Sequence, residues 1–289
     1  MPKMLTIVRH RETLAAHVKQ WQASGLRVGL VPTMGALHKG HLSLVDAIKQ
    51  HCDKVIVSIF VNPTQFAPHE DLESYPRQEK EDQTALKDHP ADLIYAPTVE
   101  DMYPESIKST VTAPKSLTET LEGAARPGHF NGVATVVKTL FEQTQANIAV
   151  FGEKDYQQLL VIKQLVKDHQ IPIDILAAPI IRESDGLAFS SRNRYLNPAE
   201  RKIAGRLNRV LQETIQTIQK GTPIAKAEET AIKTLLQEGF DAVDYLCVRD
   251  AETLGAVDKI ESPARLLTVA RLGKVRLLDN MAMYPLKQS

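Results

Sequence analysis

The stretch LRVGLVPTMGALHKGHLSLVDAIKQH, residues 26–51, changes character twice. Leu26–Thr33 is an apolar, strand-like run. From His41 onward, Leu42, Val45 and Ile48 recur at helical spacing. Between them lies an irregular segment with Gly35, Gly40 and two histidines three residues apart, His38 and His41. A strand, a glycine-containing loop and a helix in that order form half of a βαβ unit. In an open parallel sheet, ligands bind beyond the carboxyl ends of the strands, where the next helix begins.

The flanking sequence repeats the theme. KVIVSIFVN (54–62) is an almost unbroken β-branched run, the pattern of a strand covered on both faces. The polar segment after Pro76 predicts a helix, ADLIYAP (91–97) a short strand, residues 132–145 a helix, NIAVFG (147–152) a strand, and residues 154–169 a helix. PIDILAAPII (172–181) is again extended. This alternation predicts an α/β fold with a Rossmann-like parallel sheet. After Pro198 the order changes to two amphipathic helices followed by the strands VDYLCVRD, ARLLTVARLG and KVRLLDN. The expected organisation is a Rossmann-like domain over 1–183, followed by a smaller α+β C-terminal domain over 184–289.

Composition narrows the functional classes. Lys+Arg and Asp+Glu number 35 each, so the chain lacks the basic excess of a nucleic-acid protein. Cys52 and Cys247 stand alone, in no metal-ligand spacing, and read as small apolar residues in a reducing compartment. The N-terminus shows no signal-peptide pattern, and no apolar run nears the ~18 residues of a membrane helix. A cytoplasmic protein without a membrane or nucleic-acid partner is expected.

His38 and His41 share one face of the opening turn of their helix. That turn offers unpaired N–H groups and a partial positive charge, so an anion is favoured there. No GxGxxG or Walker A pattern competes for the role; GVATVVKT has Val137 where the second glycine belongs. A zinc site is the weaker reading of HxxH, since no third ligand follows in a familiar spacing. Asn62 and Gln65 end the next strand, with amides suited to hydroxyl and carboxylate groups, although Asn-Pro is also plain turn chemistry. Gly152, Lys154 and Asp155 follow another strand, with Gln158 one turn on; Lys suits phosphate and Asp a ribose hydroxyl, though Asp155 also suits a helix cap. Ser190, Ser191 and Arg192 add two hydroxyls and a guanidinium. GAARPGHFNG (123–132), with Arg126 and His129, reads as a flexible loop and a candidate lid.

Taken together, PTMGALHKGHLSLV, FVNPTQF, YPR (75–77), RPGHFNGV, GEKDYQQL and DGLAFSSRNRYL resemble the pantothenate synthetase (pantoate–β-alanine ligase) family of the HxGH nucleotidyltransferases. The likeness runs nearly end to end. It implies ATP- and Mg2+-dependent condensation of pantoate with β-alanine to pantothenate, AMP and pyrophosphate through a pantoyl adenylate, in a homodimer. It also implies an ATP site formed by Met34, Gly35, Ala36, Leu37, His38, Lys39, Gly40 and His41, by Gly152, Glu153, Lys154 and Asp155, by Ile181, and by Phe189, Ser190, Ser191 and Arg192. The catalytic set carried over is His41, His38, Lys154, Ser190, Ser191 and Arg192. Gln65 and Gln158 would hold pantoate, with Asn62 nearby, and Tyr75 and Arg126 would stand near the pocket. The magnesium ligands are unassigned, with Asp82 a candidate by its place in an acidic helix. Ala67, His69, Phe189 and Cys247 depart from the family pattern. The alternatives are another HxGH nucleotidyltransferase acting on a small carboxylic acid or phosphate ester, a non-catalytic nucleotide-binding module, and a metal hydrolase.

Overall fold

The structure, a computed structural model, describes residues 5–67, 70, 72–104 and 111–285. His69 lies outside them. The first part of the chain runs β1 (Thr6–Val8), α1 (Arg11–Ala23), β2 (Val28–Thr33), α2 (Lys39–Lys49), β3 (Lys54–Ile59), α3 (Glu79–Ala85), β4 (Leu93–Tyr95), and the short helices α4 (Val99–Met102), α5 (Lys115–Thr118) and α6 (Leu121–Ala125). It continues with α7 (His129–Thr144), β5 (Ile148–Gly152), α8 (Tyr156–Asp168) and β6 (Asp174–Ala178). The six strands form one sheet in the order β1-β4-β3-β2-β5-β6, and every pairing in it is parallel.

Burial on both faces explains the unbroken apolar runs. Val31, Val55, Val57, Ile94 and Val150 pack with Leu44, Val45 and Ile48 of α2. Their neighbours Leu30, Ile56 and Ala149 point the other way, as alternation requires, and have no exposure either. On that side α1 and α7 meet β2.

The strand order decides where a ligand belongs. From β2 the chain steps outward through β3 and β4, and from β5 it steps the opposite way to β6. The order therefore reverses between β2 and β5, whose pairing joins Gly29 to Ile148 and Leu30 to Ala149. Crevices at such a reversal are where open α/β sheets bind ligands. Met34–His41 leaves the carboxyl end of β2, and Glu153 follows that of β5.

The remainder comprises α9 (Pro198–Ala204), α10 (Arg206–Gln219), α11 (Ile224–Gln237) and the antiparallel strands β7 (Ala242–Asp250), β8 (Ala264–Leu272) and β9 (Val275–Met283), ordered β7-β8-β9. Leu207, Val210 and Leu211 of α10 and Leu235 of α11 share a core with Leu246, Leu266 and Leu277 of the strands. The helix expected from 198 onward divides at Gly205, after a capping box in which Asn197 and Glu200 satisfy each other's backbone N–H groups.

The chain forms two compact units. One holds the described residues up to Glu153 together with Gln157–Pro179; the other holds Lys154–Tyr156 and the described residues from Ile180 on. The first unit therefore ends four residues before the expected division. The reason is local: Arg182 pairs bidentately with buried Asp279 at 2.6 and 2.8 Å, which ties the segment around it to β9. Among the described residues no helix is long and apolar enough to cross a membrane.

Candidate active site

The loop after β2 adopts two left-handed residues in succession, Gly35 at φ 80° and Ala36 at φ 51°. Successive residues of this kind turn backbone N–H groups to one side. Asp82 of α3 accepts them: Oδ2 takes Ala36 N–H at 3.0 Å and Oδ1 takes Leu37 N–H at 2.8 Å. A Cβ on Gly35 would stand 2.9 Å from Asp82 Oδ2, so glycine is required by space as well as by φ. Thr33 Oγ1 adds a third anchor, accepting Gly35 N–H at 3.1 Å and donating to Ser58 O at 2.7 Å. Burial pushes the Asp82 carboxyl up from its ordinary value, against the pull of the Leu37 and Ala36 N–H groups. Each Asp82 oxygen thus holds one N–H of the loop. Among the described residues no group of three or more His, Cys, Asp or Glu could hold a metal ion.

His38 is the N-cap of α2, and its Nδ1 accepts Gly40 N–H at 3.2 Å. A nitrogen that accepts carries the lone pair, so the neutral ring has its proton on Nε2. His41 stacks on it with ring centroids 4.0 Å apart and an interplanar angle of 26°. Two imidazoles thus stand together at a helix N-terminus, as the spacing predicts.

The turn after β3 is built around Asn62, which has no exposure. Its Nδ2 donates to Gln65 Oε1 at 3.1 Å and to Gly132 O at 3.2 Å. Its Oδ1 accepts from Thr64 N, Thr64 Oγ1 and Tyr103 OH at 2.8–3.2 Å. Asn62 is therefore saturated by protein groups, and its visible work is to hold the Gln65 amide. Because Oε1 of Gln65 is occupied, its Nε2 is the group turned to donate; it lies 3.1 Å from Met34 Sδ. Gln65 and the Met34 loop are thereby brought together. Gln158 is half-buried in the first turn of α8.

The expected lid is not a loop. Residues 123–125 belong to α6, residues 129–132 open α7, and Gly128 at φ 83° makes the turn between them. Arg126 pairs bidentately with Glu70 at 2.6 and 2.7 Å. Its Nη1 lies 3.0 Å from His129 Nε2, and His129 Nδ1 lies 2.8 Å from the Gln65 carbonyl. A carbonyl only accepts, so Nδ1 carries the proton and Nε2 accepts from Arg126. Burial, and then the Arg126 charge, push the His129 pKa down to about 4, so the ring is neutral at pH 7. Glu70 is held below its ordinary value by Arg126, against the opposing effect of burial. A half-buried guanidinium needs such partners, and they fix this segment against the Gln65 turn. Tyr75, 5% exposed, packs edge-on against Phe66. Ala67 is absent from the left-handed residues, so its Cβ carries no backbone strain, and it donates its N–H to Glu70.

The second unit holds the remaining candidates. Phe189 N–H donates to Ile181 O at 3.0 Å, and Arg182 bridges to Ala188, so Ile181 and Phe189 face each other across a short hairpin. Ser190 caps a 3-10 turn over Ser191–Tyr195, its Oγ accepting Arg192 N–H. Asn193 anchors that turn to Glu183 and the Ala188 carbonyl, both at 3.0 Å. Lys154 Nζ lies 3.7 Å from Asp155 Oδ2. Reasoning from sequence alone missed the supporting partners Glu70 and Asn280, and missed what Asp82 holds. Their contacts lie 45 to 126 residues away along the chain, where no spacing rule reaches.

Comparison with known proteins gives one consistent result. The family model described as Pantoate-beta-alanine ligase matches residues 6–282. A pantothenate synthetase of Rhizorhabdus wittichii is 49% identical over 97% of this chain and 99% of its own. The crystal structure of pantothenate synthetase from Thermus thermophilus superposes with a TM-score of 0.92 at 42% identity, covering 97% of this chain and 100% of the other. A pantoate-beta-alanine ligase of Francisella tularensis, solved with beta-gamma ATP and beta-alanine, gives 0.81 at 34% identity over 96% and 97%.

Proposed function

This chain belongs to the pantoate-beta-alanine ligase family and joins pantoate to β-alanine at the expense of ATP, and from that premise we propose a division of labour among its residues. A carboxylate is a poor electrophile towards an amine. One pantoate carboxylate oxygen attacks the α-phosphorus of ATP in line, the bond to the β-phosphate oxygen breaks, and pyrophosphate leaves. The amine of β-alanine then attacks the carbonyl of the pantoyl adenylate, loses a proton, and expels AMP.

The observation that carries this assignment is the stacked pair His38–His41 at the start of α2, on the loop that leaves β2 at the strand reversal of the sheet. His38 Nε2–H and His41 donate to charge that grows on the phosphates during displacement. Within the second unit, Lys154, Ser190, Ser191 and Arg192 are the cations and hydroxyls suited to phosphate. Gln65 offers Nε2–H to the pantoate carboxylate, Asn62 fixes which end of that amide is presented, and Gln158 is the second amide for pantoate. Ile181 and Phe189 meet the nucleoside, and Asp155 suits its ribose. Magnesium would arrive with the triphosphate, neutralising phosphate charge through the ligand's own oxygens. A homodimer in the cytoplasm completes the reading, supported by the family resemblance.

Oxygen tracing tests the first step. Pantoate labelled with oxygen-18 in its carboxylate is expected to deliver one labelled oxygen to AMP. Unlabelled AMP, with the label in pyrophosphate, would exclude the adenylate.

A further inference from the structure

Lys154–Tyr156 interrupt the first unit: the chain leaves at Glu153, packs with the second unit for three residues, and returns at Gln157. A chain of buried contacts accounts for the detour. Asn280 of β9, 2% exposed, donates Nδ2–H to the Lys154 carbonyl at 2.8 Å. Its Oδ1 accepts from Arg265 Nη1 at 2.6 Å. Arg265 of β8, 7% exposed, lies over the Tyr156 ring with its guanidinium carbon 3.8 Å from the centroid. The Tyr156 hydroxyl donates to the Ala251 carbonyl at 2.8 Å. The segment is therefore gripped at Lys154 and again at Tyr156. Next to it, Asp279 accepts Asn280 N–H at 2.7 Å and holds Arg182.

Burying an amide and a guanidinium is unfavourable unless each finds partners. Here the partners are the carbonyl of Lys154 and the ring two residues on, which is a long-range commitment for a three-residue stretch. A lysine side chain on a wandering backbone delivers its charge to no fixed point, whereas one on a clamped carbonyl does. We propose that Asn280, backed by Arg265 and Tyr156, is the positioning residue for Lys154, so that the C-terminal sheet sets where the phosphate-binding cation stands. The proposal rests on reading Lys154 as a phosphate ligand. It gives β8 and β9 a part in adenylation that none of their side chains performs directly.

A double-mutant cycle on the full-length enzyme, read by pyrophosphate exchange into ATP, tests it. Lys154→Ala is expected to slow exchange by about 10²-fold. Asn280→Ala should slow it by about 10- to 30-fold, with KM for ATP raised and KM for pantoate unchanged. In the Lys154→Ala background, Asn280→Ala should cost less than about twofold. A purely structural role removes active molecules equally in both backgrounds, so the losses would multiply. Multiplied losses, or wild-type exchange in Asn280→Ala, overturn the proposal. Wild-type exchange in Lys154→Ala removes the phosphate role of Lys154 and this proposal with it, and the single variant identifies that case. Should circular dichroism show Asn280→Ala unfolded, Tyr156→Phe decides, since it keeps the ring under Arg265 and loses one hydroxyl. A loss of about threefold that vanishes in Lys154→Ala supports the proposal, and an equal loss in both backgrounds refutes it.

Discussion

Asp82→Asn isolates the support of the histidine loop. The change is nearly isosteric, but only one of the two terminal atoms can still accept a hydrogen bond. The N–H groups of Ala36 and Leu37, now shared between both carboxylate oxygens at 3.0 and 2.8 Å, cannot both be satisfied. One N–H faces an NH2 group instead. A hydrogen bond to a charged acceptor contributes about 1.5–3 kcal/mol, and a buried donor left unpaired costs a similar amount. The loop holds Gly35 and Ala36 at positive φ, and without its acceptor the left-handed Ala36 relaxes at a gain of about 1–2 kcal/mol. At 1.4 kcal/mol per tenfold, adenylation should fall by about 10- to 100-fold. The defect should appear in kcat and in KM for ATP, because His38 and the α2 N-terminus follow directly. KM for pantoate should hold, since Gln65 is fixed by Asn62 and not by Asp82. Pyrophosphate exchange at varied ATP and pantoate reads both. Wild-type exchange, or a loss confined to pantoate, would refute the reasoning.

Asn62→Ala removes the donor to Gln65 Oε1 and to Gly132 O, so KM for pantoate should rise by about tenfold with KM for ATP little changed; the same two-substrate titration checks it. His129 has its pKa lowered to about 4 in the folded state, so the unfolded chain binds the proton more readily between that value and about 6.5. Its contribution to stability is full above about pH 6.5 and is lost as pH falls towards 4, by about 3 kcal/mol in all. Urea unfolding from pH 7 to pH 4 should show this slope, and His129→Gln should flatten it.

Periodicity carried the sheet but not its support. β2, α2, β3 and β5 are visible because burial on both faces or on one helical stripe leaves a local pattern. β1, with three residues, is too short to leave one, and α4, α5 and α6 are single turns fixed by tertiary packing. Residues 123–132 look like a loop because Gly123, Pro127, Gly128 and Gly132 are turn residues by habit. In the fold, Gly132 lies within α7, and it is glycine because a Cβ there would collide with the Thr64 carbonyl. Arg126 and His129 are tied down by Glu70 and Gln65, 56 and 64 residues back. The histidine pair was legible from chemistry and spacing alone. The two glutamines were assigned by resemblance, and the role of Asn62 behind Gln65 emerges only when its hydrogen bonds are traced.

The most direct measurement is exchange of labelled pyrophosphate into ATP with β-alanine omitted. The account predicts exchange that depends on pantoate in the wild-type enzyme and falls by about 10²–10³-fold in His41→Ala, the loss typical of one transition-state donor. Exchange that needs β-alanine, or survives intact in His41→Ala, would contradict it.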